Sequence, residues 1–386
     1  MFNVDVFNRL RNKYFALASR LMPGRKEEFR LRRLAADALE PPTPRVRSLP
    51  GHALIEINNT CNLNCIMCNT KMSKRPKGYM TPDLFERIAK QLKQAGSLYP
   101  GLHTVGETFV YPDLPALFDI ARSLDYPLFI STNAQFPDRL APLLESHSDM
   151  IHHLRFSIDA ADAETYSSIR RGGRLDKVME SLEVVRRFNM TSSRPVLLEA
   201  GFVMSATNIA EVGPFIKMLE PYCPPDKVRF NLIDGISPDA SYFRTTFPFK
   251  NLIKPARPCR MVFRNVFFTH DGKVSLCCRD YDAEVVIGDI TKQDLTTIWA
   301  SPEAGRVRDM HLGKKSMTIK SCVGCFVSNR SVSSLVNLYI HQLYASGMDS
   351  DRIGHEAWTF VQGVNDQVGA GGDLQAYVLG AFSKIQ

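Results

Sequence analysis

The sequence predicts an α/β protein: a mainly parallel sheet flanked by helices, then a small cysteine-bearing lobe and a helical tail. Three observations carry this. Between residues 52 and 233, six short β-branched or apolar runs alternate with amphipathic stretches, the rhythm of βα repeats. After residue 250 that rhythm stops, and two strand-like runs meet across Asp271-Gly272, a hairpin turn signal. Beyond residue 331 the pattern is helical. A parallel sheet displays its chemistry beyond the carboxyl ends of its strands, so the small and polar residues there carry the functional weight.

Taken in order, residues 1–50 form a basic extension with eleven Lys/Arg against five Asp/Glu. Phe7, Leu10, Tyr14, Leu17 and Leu21 recur at helical spacing with Arg9, Arg11, Lys13 and Arg20 between them. Such a helix packs its apolar stripe on the main domain, or lets residues 1–25 lie on an anionic membrane; no motif points to nucleic acid. Glu40-Pro41-Pro42-Thr43-Pro44 reads as a stiff linker. The main unit, 51–240, opens on a strand over 52–58. Thr81-Pro82 supplies an N-cap and a first-turn proline for a helix reaching about Gly96. Strands follow over 103–107, 128–133, 153–159, 196–204 and 228–233. Helices alternate with them over 114–124, 137–147, 164–169 with 176–188, and 209–219. The lobe, 255–330, holds the hairpin over 266–276, and the tail, 331–386, holds helices over 332–345 and 353–367.

Composition narrows the class. Of 386 residues, 44% are hydrophobic and 23% charged, an ordinary globular balance, with a net charge of +8. No run approaches the roughly eighteen apolar residues of a membrane span, and the N-terminus lacks a signal-peptide core. Nine cysteines, an odd number gathered in short groups, argue against a secreted disulfide framework and for metal in a reducing cytoplasm.

The cysteines form two sets. Cys61, Cys65 and Cys68 stand at C-x3-C-x2-C directly after the first strand. Three soft ligands are one short of the four that a structural zinc site or an ordinary iron–sulfur cluster uses, which leaves a metal position open. Cys259, Cys277, Cys322 and Cys325 bracket and follow the hairpin and suffice for a complete tetrathiolate site, zinc or iron–sulfur. Cys278 is a spare ligand, a thiol donor or a small buried residue; Cys223 is most simply structural. No histidine pair has the spacing of a helical metal site.

The C-x3-C-x2-C loop resembles the cluster signature of the radical S-adenosylmethionine (SAM) superfamily. That resemblance implies a partial (β/α)6 TIM-like barrel and a [4Fe–4S] cluster on Cys61, Cys65 and Cys68, whose open iron chelates SAM. It further implies one-electron cleavage of SAM and hydrogen abstraction by a 5′-deoxyadenosyl radical, with flavodoxin or ferredoxin as an external electron donor. Gly106-Glu107-Thr108 is similar to the family's Gly-Glu-Pro motif, which receives the SAM amino group. Ser131 and Asn133 fall where the family has a Thr-Asn-Gly turn, with Ala134 in place of glycine. Ser157-Ile158-Asp159 and Ile169-Arg170-Arg171-Gly172-Gly173 resemble the SPASM-type branch. By that likeness Ser157 and Arg170 hold the SAM carboxylate, Asp159 and Arg171 are the positional candidates on the substrate side, and Val203 and Met204 pack on adenine.

The second cysteine set, with Gly272, Gly288-Asp289-Ile290 and Trp299, resembles a shortened "twitch" form of the SPASM domain carrying one auxiliary [4Fe–4S] cluster. The activity this implies is oxidation of a small polar molecule, such as an amino-sugar or cyclitol alcohol, with the auxiliary cluster accepting the electron. The alternatives are a peptide-modifying maturase or epimerase and, from another class, a cysteine-rich electron-transfer protein without SAM chemistry.

Overall fold

The computed structural model describes residues 22–39, 45–68, 70, 72–233, 248–252, 258–323, 325 and 330–385. The basic helix expected around Phe7–Leu21 and the linker 40–44 lie outside the described residues. The chain begins with α1 (Lys26–Leu39), β1 (His52–Ile55), α2 (Pro82–Gln94) and α3 (Leu114–Ser123). Next come β2 (Leu128–Thr132), α4 (Pro137–His147), β3 (Ile151–Ser157), α5 (Ala163–Ile169) and α6 (Leu175–Thr191). Then follow β4 (Leu198–Met204), α7 (Val212–Leu219) and β5 (Val228–Leu232). The lobe contributes β6 (Asn265–Phe268), β7 (Lys273–Ser275), β8 (Val286–Asp289), α8 (Leu295–Trp299) and α9 (Pro302–Leu312). The tail is α10 (Arg330–Ala345), α11 (Ser350–Ala370) and α12 (Leu374–Ser383).

The strands β2 to β5 form a parallel ladder in chain order. The strand expected over 103–107 is reduced to one bridging residue. Gly101 pairs with Leu54 of β1 on one side and Phe129 of β2 on the other, and the segment turns away at once into the loop that bears Glu107. Its glycine allows this pinch, because a Cβ at Gly101 would lie 2.6 Å from the Leu54 side chain. Six parallel positions therefore curve from β1 to β5.

They do not close. Where a further strand would pair with β5, Asn337 of α10 accepts from the Phe230 amide at 2.9 Å and donates to its carbonyl, and His341 lies 3.0 Å from the Val228 carbonyl. Side chains thus satisfy an edge that would otherwise seek another strand. At the other edge the lobe joins the sheet directly: β6 pairs in parallel with β1, and β7 and β8 continue antiparallel from it. The expected hairpin turns at Gly272 with φ +87°.

Strand alternation sorts the side chains. Ala200, Phe202 and Met204 point into the layer between sheet and helices, where Phe202 stands 4.8 Å from Phe215 and 5.6 Å from Phe230. Val203, Ser157, Arg155, Arg229 and Asn231 fall on the opposite, concave face. Met204, expected against adenine, is fully buried on the core face; its neighbour Val203 takes the inward position.

Candidate active site and metal centres

The loop after β1 is fixed mainly by asparagines and backbone. Asn58 donates to the Glu107 carbonyl at 2.9 Å, while its own side-chain oxygen accepts from Thr60 at 2.9 Å. Asn59 spans the loop from Gly78 to Pro76, both at 2.9 Å. The amides of Asn64 and Ile66 donate to the carbonyls of Arg171 and Ile169 at 2.8 and 3.0 Å, so the cysteine loop is laced to the turn after α5. Gly106 is needed for this closeness: a Cβ there would sit 2.2 Å from the Asn58 carbonyl oxygen.

Around the three thiols the polar partners converge. The Asn133 side chain donates to Asn62 at 2.9 Å and lies 3.9 Å from the Cys61 sulfur. Arg170 Nη1 is 3.8 Å from the Cys65 sulfur, and the Thr70 hydroxyl is 3.0 Å from that of Cys68. Burial pushes the Cys61 thiol up to about 12 and raises that of Cys65 as well. Thiols held neutral by burial release their protons when iron takes their place, so the set suits a metal centre that forms with proton loss.

Glu107, 4% exposed, accepts from Thr132 Oγ1 at 2.6 Å, the Asn133 amide at 2.8 Å and the Phe109 amide at 3.1 Å. Burial nevertheless holds its carboxyl above the ordinary value, so a bound ammonium group would find a carboxylate short of countercharge. Thr108, where the resembling motif has proline, shares its one hydroxyl proton between the Leu102 and Ser131 carbonyls at 2.7 and 2.9 Å, tying the loop to β2. Ala134 sits at φ +60°, the left-handed region that explains a glycine preference at this turn. Ser131 and Ser157 end β2 and β3 half-buried on the concave face.

Asp159 and Arg171 do not take the substrate-side positions expected of them. Asp159 is fully buried at φ +74°; it accepts from the Val203 amide at 2.7 Å and pairs with Arg170 at 2.5–2.8 Å. Burial alone would depress the Arg170 guanidinium; the Asp159 carboxylate, together with Cys65 and Tyr166, more than offsets it. Asp159 therefore positions Arg170. The Arg171 side chain is exposed, and its carbonyl is what the cysteine loop uses.

The second cysteine set lines a cavity with Cys259, Cys277, Cys278, Cys322 and Cys325 in its wall, together with Arg279 and His311. Burial pushes the Cys322 thiol up to about 12. Among the described residues no three His, Cys, Asp or Glu side chains are grouped so as to hold a single metal ion; the thiols line one shared cavity. His311, which carries no sequence signal beyond its place before the Cys322–Cys325 pair, is 2% exposed with its ring between two of these cysteines. Between the two centres lies a cavity of about 750 Å³, reached by Met67 and Cys68 from one side and by Cys278, Arg279 and Tyr281 from the other, with Val203, Arg229 and Asn231 on its wall.

Residues 55–199 match the family model of the Radical SAM superfamily, and residues 259–326 match that of SPASM, an iron–sulfur cluster-binding domain. The chain is 24% identical over 182 residues to GTP 3′,8-cyclase of Clostridium botulinum, covering 46% of this chain and 54% of that one. It is 24% identical over 169 residues to the mycofactocin maturase MftC of Mycobacterium tuberculosis, covering 43% and 41%. The chain thus spans about half the length of these curated relatives. Among solved structures it is similar to Streptococcus suis SuiB bound to the precursor peptide SuiA, with TM-score 0.54 and 17% identity over 74% of this chain and 71% of that one. It is also similar to anSMEcpe with bound AdoMet, with TM-score 0.52 and 13% identity over 72% and 95%.

Proposed function

Because the chain belongs to the radical SAM superfamily and carries a SPASM iron–sulfur domain, we propose that it abstracts a hydrogen atom from a small polar substrate held between its two metal centres and completes a net oxidation. The observation that carries this reading is the cavity of about 750 Å³ between Cys68 and Cys278, a volume in the small-molecule range. The first centre is assigned to Cys61, Cys65 and Cys68, and one auxiliary centre to Cys259, Cys277, Cys322 and Cys325. When bound, these groups supply one-electron cleavage of SAM to methionine and a 5′-deoxyadenosyl radical, hydrogen abstraction, and a site for the substrate's remaining electron.

The chain's own residues do the positioning. Glu107 and the backbone around Gly106 offer acceptors for the SAM ammonium group. Arg170, aimed by Asp159, places a guanidinium edge beside Cys65, where a carboxylate would complete its charge balance. Ser157 and Val203 lie on the same concave face and complete the SAM wall. Flavodoxin or ferredoxin is the class of donor for the first electron. No helix among the described residues is long and apolar enough to cross a membrane.

A second reading, modification of a peptide, fits the family equally and is favoured by the likeness to a relative named a maturase. The likeness to a cyclase named for GTP favours the small molecule. The test is anaerobic reconstitution with iron and zinc counted and 5′-deoxyadenosine followed under strong reductant. Two four-iron clusters predict about eight irons per chain. Four irons with zinc in the lobe would remove the electron-acceptor step, and no 5′-deoxyadenosine would end the radical reading.

A further inference from the structure

His311 occupies the inward face of α9 with Ala304, Val307 and Arg308. Arg308 fixes this face: its Nε and Nη1 donate to the Val262 and Trp299 carbonyls at 3.2 and 2.9 Å, and its guanidinium lies 4.2 Å from the Trp299 ring centre. The imidazole is thereby presented to the auxiliary cavity with little freedom. Its Nδ1 accepts from the Cys259 amide at 3.3 Å. A nitrogen that accepts cannot carry the proton in the neutral ring, so the proton resides on Nε2. Nε2 faces the Cys322 sulfur at 3.8 Å.

We propose that His311 is a positioning residue of the auxiliary centre, a fixed N–H donor to the Cys322 thiolate that raises the reduction potential of the cluster held there. A donor aimed at a ligating sulfur stabilises the more negative, reduced state, and hydrogen bonds to sulfur are among the factors that set iron–sulfur potentials. The Arg279 guanidinium, in the wall of the same cavity, acts in the same direction. The centre is thus poised to receive an electron. This inference rests on the auxiliary cluster assigned above.

Two variants separate the two ends of the ring. Asparagine places an acceptor where Nδ1 was and no donor at the Nε2 position; glutamine places its amide donor near Nε2. The measurement is a redox titration of the reconstituted full chain, reading the auxiliary EPR signal, the one that added SAM leaves unchanged, with iron counted alongside. His311→Asn is expected to keep about eight irons and to lower the equilibrium constant for reduction about tenfold, or about 59 mV for one electron. His311→Gln is expected to stay near the parent potential. An unshifted potential in His311→Asn at full iron overturns the inference, as does equal loss of iron in both variants, which would make the ring a structural brace. A parent protein with only four irons would instead defeat the auxiliary-cluster assignment itself.

Discussion

At the scale of the residue, the site is organised by a buried carboxylate that the sequence placed on the substrate side. Ser157-Ile158-Asp159 ends β3, and only the left-handed turn at Asp159 swings its side chain back toward Arg170 and the Val203 amide. That reversal of direction is a backbone property at one position, invisible to alternation. Asp159→Asn leaves a buried guanidinium without its counter-ion, so it is expected to destabilise the fold by about 3–5 kcal/mol. Denaturant unfolding of the apoprotein checks this. Unchanged unfolding with turnover abolished would return Asp159 to the substrate. The cysteines, by contrast, stand out as candidate ligands from their spacing alone, because that spacing is itself a chemical requirement.

At the scale of the element, the loop after β1 is held to the lobe by Glu56, which is 3% exposed. It accepts from both Arg75 terminal nitrogens at 2.5–2.7 Å, from Thr104 at 3.0 Å, and from the His270 amide at 3.2 Å. Burial would raise its carboxyl, yet the His270 and Arg75 hydrogen bonds together with the Arg75 charge outweigh burial and lower it below 4.5. A depressed carboxylate stabilises the fold fully above its unfolded value and loses that contribution as pH falls through the folded one. The stability gap between the parent and Glu56→Gln should therefore be widest at neutral pH and close progressively below pH 4.5; a gap independent of pH would show that the ion pair contributes nothing. Most helices and strands were readable from period and caps: Thr81 does accept from the Leu84 amide, and the helix after Pro137 runs to His147 as expected. The strand over 103–107 was not, since His103-Thr104-Val105-Gly106-Glu107 cannot reveal that the pairing with β1 and β2 is made two residues earlier, at Gly101.

At the scale of the whole molecule, the tail is part of the scaffold. Its α11 crosses α7 and the 3-10 turn before it so closely that a Cβ on Gly213 would lie 2.0 Å from the Ser350 carbonyl, and one on Gly354 would lie 1.8 Å from that of Ile209. Because backbone cannot yield as a flexible side chain does, Gly354→Ala should lower stability by about 1–3 kcal/mol, the usual cost of overpacking. Thermal melting reads this, and an unchanged midpoint would mean that the two helices are not firmly docked. The helical tail was legible in sequence, but its last helix was not: Leu374-Gln375-Ala376-Tyr377-Val378-Leu379-Gly380-Ala381-Phe382 lacks the clean polar face that signals an amphipathic helix.

The pairing of β6 with β1 has a consequence for dissection. A cut placed between residues 233 and 258 would strip the first strand of its neighbour and leave a bare row of amides and carbonyls beside Ala53 and Ile55, a template for self-association. The barrel expressed alone should therefore aggregate or dimerise through that row. An exchange of lobes between related chains would have to carry the β6 strand with the cysteines, because the graft junction runs through a hydrogen-bond ladder rather than along a linker.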